Sequence, residues 1–82
     1  MTRKKPAKPP LMRISDAARA AGVSKQTVEY YIMLGLITPL RRPGKSGRYF
    51  DKKLVRRIGL IRRMNNSGYT LRDIRETYLH GR

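Results

Sequence analysis

The sequence predicts a mainly α domain of about four short helices interrupted by one small β-hairpin at residues 40–50. Three observations predict it. Apolar residues recur at helical spacing in four stretches, each opened by Ser, Asp or Thr. Gly22, Gly35 and Gly68 follow three of those stretches, where a helix can end in a positive-φ residue. Between the second and third stretches, Pro43-Gly44-Lys45-Ser46-Gly47 is a turn-dense tip, and Arg48-Tyr49-Phe50 reads as the return strand.

The elements follow in order. Residues 1–11, with three prolines and four Lys or Arg, read as a flexible basic arm. The arm either follows a polyanion's backbone or groove or makes no fixed contact. Residues 12–80 form the domain. Helix 1 starts at Ser15 as N-cap, with Asp16 in its first turn. Ile14, Ala17, Ala18 and Ala21 share a face whose small side chains admit a close neighbour, and Val23 plugs the turn. Ser24 caps helix 2, residues 25–33. Val28, Tyr31 and Ile32 face inward, and Lys25, Gln26, Glu29 and Tyr30 face outward. Leu36, Ile37 and Pro39 return to the core in an extended segment. Asp51 caps helix 3, whose stripe is Leu54, Ile58, Ile61 and Met64, with Val55 and Leu60 beside it. Thr70 caps helix 4, residues 71–79, with Asp73 at the third position of a capping box. Leu71, Ile74 and Tyr78 form its stripe. The expected core is Ala18, Val23, Val28, Leu36, Leu54, Ile58, Ile61, Leu71 and Ile74.

Length and charge narrow the function. A chain of 82 residues buries roughly 60–65% of its unfolded surface. That supports one modest core and no deep substrate pocket beside it. Twenty Lys and Arg against five Asp and Glu give a formal net charge of +15, and such self-repulsion suits a polyanionic partner. With no cysteine and the single His80 near the end, neither a disulfide framework nor a metal site is expected. No apolar run is long enough to span a bilayer, and no apolar segment follows the basic N-terminus as in a signal peptide. A cytoplasmic, nucleoid-associated protein is expected. Gly44-Lys45-Ser46 lacks the preceding glycine of a phosphate-binding loop, since Pro39 stands there. Asn65-Asn66-Ser67 is a glycosylation sequon only in form. The scattered carboxylates and the absence of a nucleophile–base pair argue against an enzyme, and no cofactor is expected.

Two short helices joined by a tight turn, running into a cationic hairpin, form a winged helix–turn–helix, a device for reading duplex DNA. The exposed first turns of helix 2 carry Ser24, Lys25, Gln26, Thr27, Glu29 and Tyr30. Lysine can read guanine, glutamine adenine, and glutamate can accept from cytosine N4. In the wing, Arg41, Arg42, Lys45 and Arg48 lead into Lys52, Lys53, Arg56, Arg57, Arg62 and Arg63, opposed only by Asp51. Tyr49 either meets a sugar–phosphate backbone or packs on helix 3.

The order of these motifs resembles the DNA-binding domain of the MerR family of transcription regulators. The resemblance runs from Arg13 to Leu79. It is carried by Ile14, Ala17-Ala18, Gly22-Val23-Ser24, Thr27-Val28, Tyr30-Tyr31, Gly35-Leu36-Ile37, Pro39, Arg41 and Gly47-Arg48-Tyr49-Phe50-Asp51. Leu54, Ile58, Gly68-Tyr69-Thr70-Leu71 and Ile74 complete it. It implies that helix 2 enters the major groove while the wing grips flanking backbone. Thr27, Tyr30, Arg41 and Arg48 would then hold phosphates, with Lys25 and Gln26 nearest the bases. Where the family usually has arginine before the Tyr-Tyr pair, this chain has Glu29, which either reads a cytosine or pairs with a nearby arginine. The family's common acidic residue after the pair is here Ile32. The family's long dimerisation helix and effector domain do not follow, so a short member or a fragment is expected.

The expected partner is therefore double-stranded DNA, bound sequence-specifically by a bacterial or phage transcription regulator. It would be monomeric in solution, with side-by-side assembly on DNA open to it. One alternative is an architectural DNA-binding factor, excisionase-like or a packaging module. Another is an antirepressor or protein-interaction module binding a partner through helix 71–79, with Tyr78 and Leu79 exposed. RNA binding is weaker, because Tyr30 and Tyr49 are its candidate stacking aromatics.

Overall fold

A computed structural model describes residues 11–79, with side chains through Thr77. The expectations for the arm at 1–10, for His80 and for the Tyr78 and Leu79 side chains fall outside that range. Four helical segments follow one another: α1 Ile14–Ala21, α2 Lys25–Met33, α3 Lys52–Asn66 and α4 Leu71–Asp73, the last continuing as a π-helical turn over Ile74–Leu79.

Helix ends are defined by chemistry that the sequence displays. Ser24, Asp51 and Thr70 each accept a backbone N–H three residues on, at 3.0, 2.9 and 3.0 Å, which satisfies one orphan donor at each start. α1 ends at Gly22, whose φ of 76° few other residues adopt without strain. Gly22 N–H donates to Arg19 O at 3.1 Å and Val23 N–H to Ala18 O at 3.0 Å, the paired bonds of a Schellman motif. α2 and α3 end in the same way, through Gly35 with Leu36 and through Gly68 with Tyr69. Each termination turns the chain sharply, and at the ends of α1 and α2 it brings Val23 and Leu36 back against the core.

α1 packs on both α2 and α3. Ala17 and Ala18 supply the close approach, and Val28, Tyr31, Leu36, Ile37, Phe50, Ile58, Ile61 and Ile74 complete the buried cluster. Arg75 reaches back from the π turn and donates from Nη1 to Leu34 O at 3.1 Å, tying the fourth segment to the end of α2.

The structure corrects five expectations. α1 begins one residue before Ser15: Arg13 is the N-cap, makes no side-chain cap bond, and Ser15 lies inside the helix. The reason is upstream. Met12 pairs antiparallel with Phe50, which holds Arg13 extended, so the chain turns helical at Ile14. The hairpin at 40–50 contracts to a loop closed by one bridge, Leu40 with Tyr49, because the turn at Arg42–Lys45 and the positive φ of Gly44 and Gly47 use up the intervening residues. The fourth helix is α-helical for only three residues before it widens. Residue propensity does not separate these hydrogen-bonding patterns. Val23, Leu54 and Leu71 are partly rather than fully buried, flanking the core instead of filling it. Phe50 and Tyr49 pair in bridges as the return-strand reading expects, but both belong to the buried set that the expected core omitted, Phe50 fully and Tyr49 at 8% exposed.

Packing at Ile58 admits a direct test. Ile58→Ala is expected to lose about 2–5 kcal/mol in urea unfolding followed by circular dichroism. Met33→Ala, at a residue 73% exposed, should stay within about 0.5 kcal/mol of the parent.

Candidate nucleic-acid interface

The outward face of α2 begins at its cap. Ser24 Oγ lies 2.9 Å from Thr27 Oγ1 and also receives the Thr27 N–H. These two residues thus organise the helix start, where exposed N–H groups and the positive end of the helix dipole favour an anion. Lys25 and Gln26 stand exposed beside them. Tyr30 follows one turn later, 48% exposed.

Glu29 occupies the centre of this face and makes the link to the wing. Arg48 donates from Nη1 to Glu29 Oε1 at 3.1 Å and from Nη2 to Oε2 at 3.0 Å, a planar fork closing on a carboxylate. Of the two roles open to Glu29 in the sequence, the pairing with an arginine is the one seen. Both side chains keep solvent access, 44% for Glu29 and 36% for Arg48. The hydrogen bonds from Arg48 hold the Glu29 carboxyl below the ordinary glutamate range. The fields of Arg48 and Lys25 act in the same direction, against partial desolvation. The pair couples two elements 19 residues apart.

The wing is a cationic loop on an aromatic post. Arg41, Arg42 and Lys45 are exposed. Tyr49 is turned beneath them. Its hydroxyl donates to Ser46 O and accepts from Arg13 Nη2, both at 3.3 Å. The Arg13 guanidinium lies 4.8 Å from the ring centroid and that of Arg42 5.5 Å, within cation–π range. Gly47 makes this possible. Its φ is +102°, and a Cβ there would come within 3.2 Å of Arg13 Nη1. Sequence reading did not single out Arg13, because one cation before a helix carries no pattern. Its proximity to the wing follows from the Met12–Phe50 bridge.

A second feature was equally hidden. An open groove lies between the α1–α2 turn and the end of α3, lined by Ser24, Gln26, Thr27, Tyr30, Arg62 and Asn65 among others. Tyr31 and Arg62 both line it; burial raises the Tyr31 hydroxyl's pKa, and the Arg62 charge pulls it partly back. Asn65 Nδ2 donates to Tyr69 O at 2.7 Å, steadying the exposed Tyr69. The other α3 cations diverge. Lys53, Arg56, Arg57 and Arg63 line a different cleft around Leu60. Among the described residues no cluster of His, Cys, Asp or Glu could hold a metal ion, and no helix is long and apolar enough to cross a membrane. Tyr69, 55% exposed, takes the place of Tyr49 as an aromatic with a free face.

Comparison with known proteins places this geometry. Residues 12–79 match the family described as MerR HTH family regulatory protein. The chain is 40% identical over 62 residues to the mercuric resistance operon regulatory protein of Bacillus cereus, covering 76% of this chain and 47% of that protein. It is 41% identical over 64 residues to the HTH-type transcriptional regulator CueR of Bacillus subtilis (strain 168), covering 78% and 44%. A solved structure, that of HiNmlR, a MerR family regulator lacking the sensor domain, bound to promoter DNA, superposes with a TM-score of 0.73. The two are 27% identical over 82% of this chain and 51% of that one. This chain thus spans about half the length of the relatives it matches.

The Glu29–Arg48 fork predicts a titration. A carboxyl held low contributes its pairing above its ordinary pKa, and that contribution fades as pH falls through the lowered value. The pair therefore stays intact through neutrality. A carbon-detected NMR titration of Glu29 should give a midpoint below that of glutamate in an unstructured peptide, returning toward it in Arg48→Ala. An unshifted midpoint in the parent would mean the fork is absent in solution. Gly47→Ala, at its positive φ against Arg13, is expected to lower stability by about 1 kcal/mol or more, measured by thermal unfolding.

Proposed function

This chain belongs to the MerR HTH family of regulatory proteins, and we propose that it is a transcription regulator that binds duplex DNA sequence-specifically. α2 enters the major groove with Lys25 and Gln26 against base edges. Ser24, Thr27 and Tyr30 hold backbone near the helix start. Arg41, Arg42, Lys45 and Arg48 grip phosphates flanking the groove, over the Tyr49 post. The observation that carries this reading is the fork joining α2 to the wing. It fixes reading helix and cationic loop as one surface, facing the same way. The net charge of +15 and the description of HiNmlR as bound to promoter DNA support it. The protein acts in the cytoplasm, on the nucleoid, without enzymatic activity.

A second reading has its own observation. Lys53, Arg56, Arg57 and Arg63 gather around a cleft shared with no α2 residue. A second basic face suits an architectural factor that holds two DNA segments.

Selection of bound sequences from random duplexes separates the two. A sequence-reading regulator is expected to enrich one motif and to prefer it to scrambled duplex by about 10³-fold or more near 150 mM salt. Backbone gripping alone enriches nothing. The salt dependence of log K should have a slope near −4 to −5 if about five phosphates are neutralised, and Arg41→Ala should reduce it by about one.

A further inference from the structure

Glu29 is an unusual residue for its position. It is one of five acidic residues in a chain of net charge +15, and it sits mid-face on the helix proposed to read DNA. A lone carboxylate there would repel phosphate. As a prop for stability it has little value, since exposed ion pairs are screened by solvent.

The fork geometry points to another use. Arg48 donates one N–H to each carboxylate oxygen. Each oxygen can accept more than one hydrogen bond, and Arg48 has five N–H donors, so capacity remains on both sides of the pair. The carboxylate is thereby held in one orientation before any ligand arrives, which lowers the entropy lost on binding. Arg48 also cancels the charge that would otherwise drive phosphate away. Gln26 and Tyr30 line the same shallow depression as Glu29, with Ile32, Met33 and Arg48. The acceptor therefore sits beside Gln26, the residue proposed above to meet base edges.

We propose that Glu29 is a specificity-determining residue that selects cytosine at one position of the bound sequence, with Arg48 as its positioning residue. The inference rests on the reading of α2 as a major-groove helix. In that groove cytosine offers the N4 amino donor with no acceptor on its own edge. Guanine presents O6 and N7 and thymine O4, all acceptors that repel a carboxylate. Adenine offers a donor beside the acceptor N7. Cytosine is the base that a fixed, charged, acceptor-only group prefers. The remaining Arg48 donors stay available to the neighbouring phosphate.

The test is selection of bound duplexes by the parent protein, Glu29→Gln, Glu29→Ala and Arg48→Lys, each first shown folded by circular dichroism. The parent motif is expected to contain a cytosine preferred by at least about fivefold. Glu29→Gln should turn that one position toward adenine, because an amide both accepts and donates. Glu29→Ala should leave it without preference, with the other positions unchanged. Arg48→Lys keeps the charge and loses the fork, so it should weaken preference at that position while the salt slope stays within about one unit of the parent. If the Glu29 variants retain the cytosine, the residue is a strut and the inference fails while the reading of α2 stands. If the parent enriches no motif, the reading of α2 fails first and the inference with it.

Discussion

The antiparallel pairing of Met12 with Phe50 is the contact on which the rest of the surface depends. Two backbone hydrogen bonds of 2.8 Å close it in both directions, and the Phe50 ring fills the centre of the core. The lead into α1 meets there a remote stretch of chain, where the return of the wing runs straight into the start of α3. One residue after Phe50, Asp51 caps α3. One residue before it, Tyr49 carries two guanidinium groups. Two residues before it, Arg48 reaches α2. A side chain pinned in the core thus sets the direction of a loop that otherwise has a single bridge to hold it.

Charge is the second organising force, and the chain disperses it by particular means. Arg13 and Arg42 lie over the Tyr49 ring, where the π face attracts a cation. Arg75 is spent on the carbonyl that ends α2. Arg48 gives one N–H from each of Nη1 and Nη2 to Glu29. What remains exposed at the α2 end of the domain, among the described residues, is a small set of cations around the helix start and the wing: Lys25, Arg41, Arg42 and Lys45.

Much of this was legible in the residues. Caps Ser24, Asp51 and Thr70 and terminators Gly22, Gly35 and Gly68 act within a few residues of themselves, so their meaning is local and readable. The α2 face was equally open to reading, because 3.6-residue periodicity separates Val28 and Tyr31 from Lys25, Gln26 and Tyr30. Burial of Ile58 and Ile61 followed from the same rule. Less legible were residues whose environment is set by distant partners. Ser15 looked like a cap, and only the tether at Met12 moves the helix start to Ile14. Phe50 and Tyr49 read as alternating strand residues and are bridged as such, but what each meets, the core for Phe50 and two arginines for Tyr49, is set by partners distant in sequence.

The sequence by itself determined the order of elements, the strongly basic charge and the residues that face outward from α2, because these depend on propensity, period and composition. The tertiary structure decided which cations act together. Glu29 had two roles open to it, and the wing's placement set its carboxylate against Arg48 at 3.0 Å. Arg13 and Arg62 joined the surface only when the Met12–Phe50 bridge and the packing of α1 on α2 and α3 brought them beside it. Hydrogen bonds between residues tens of positions apart leave no period in a sequence. They exist only once the core has fixed the distance between their backbones.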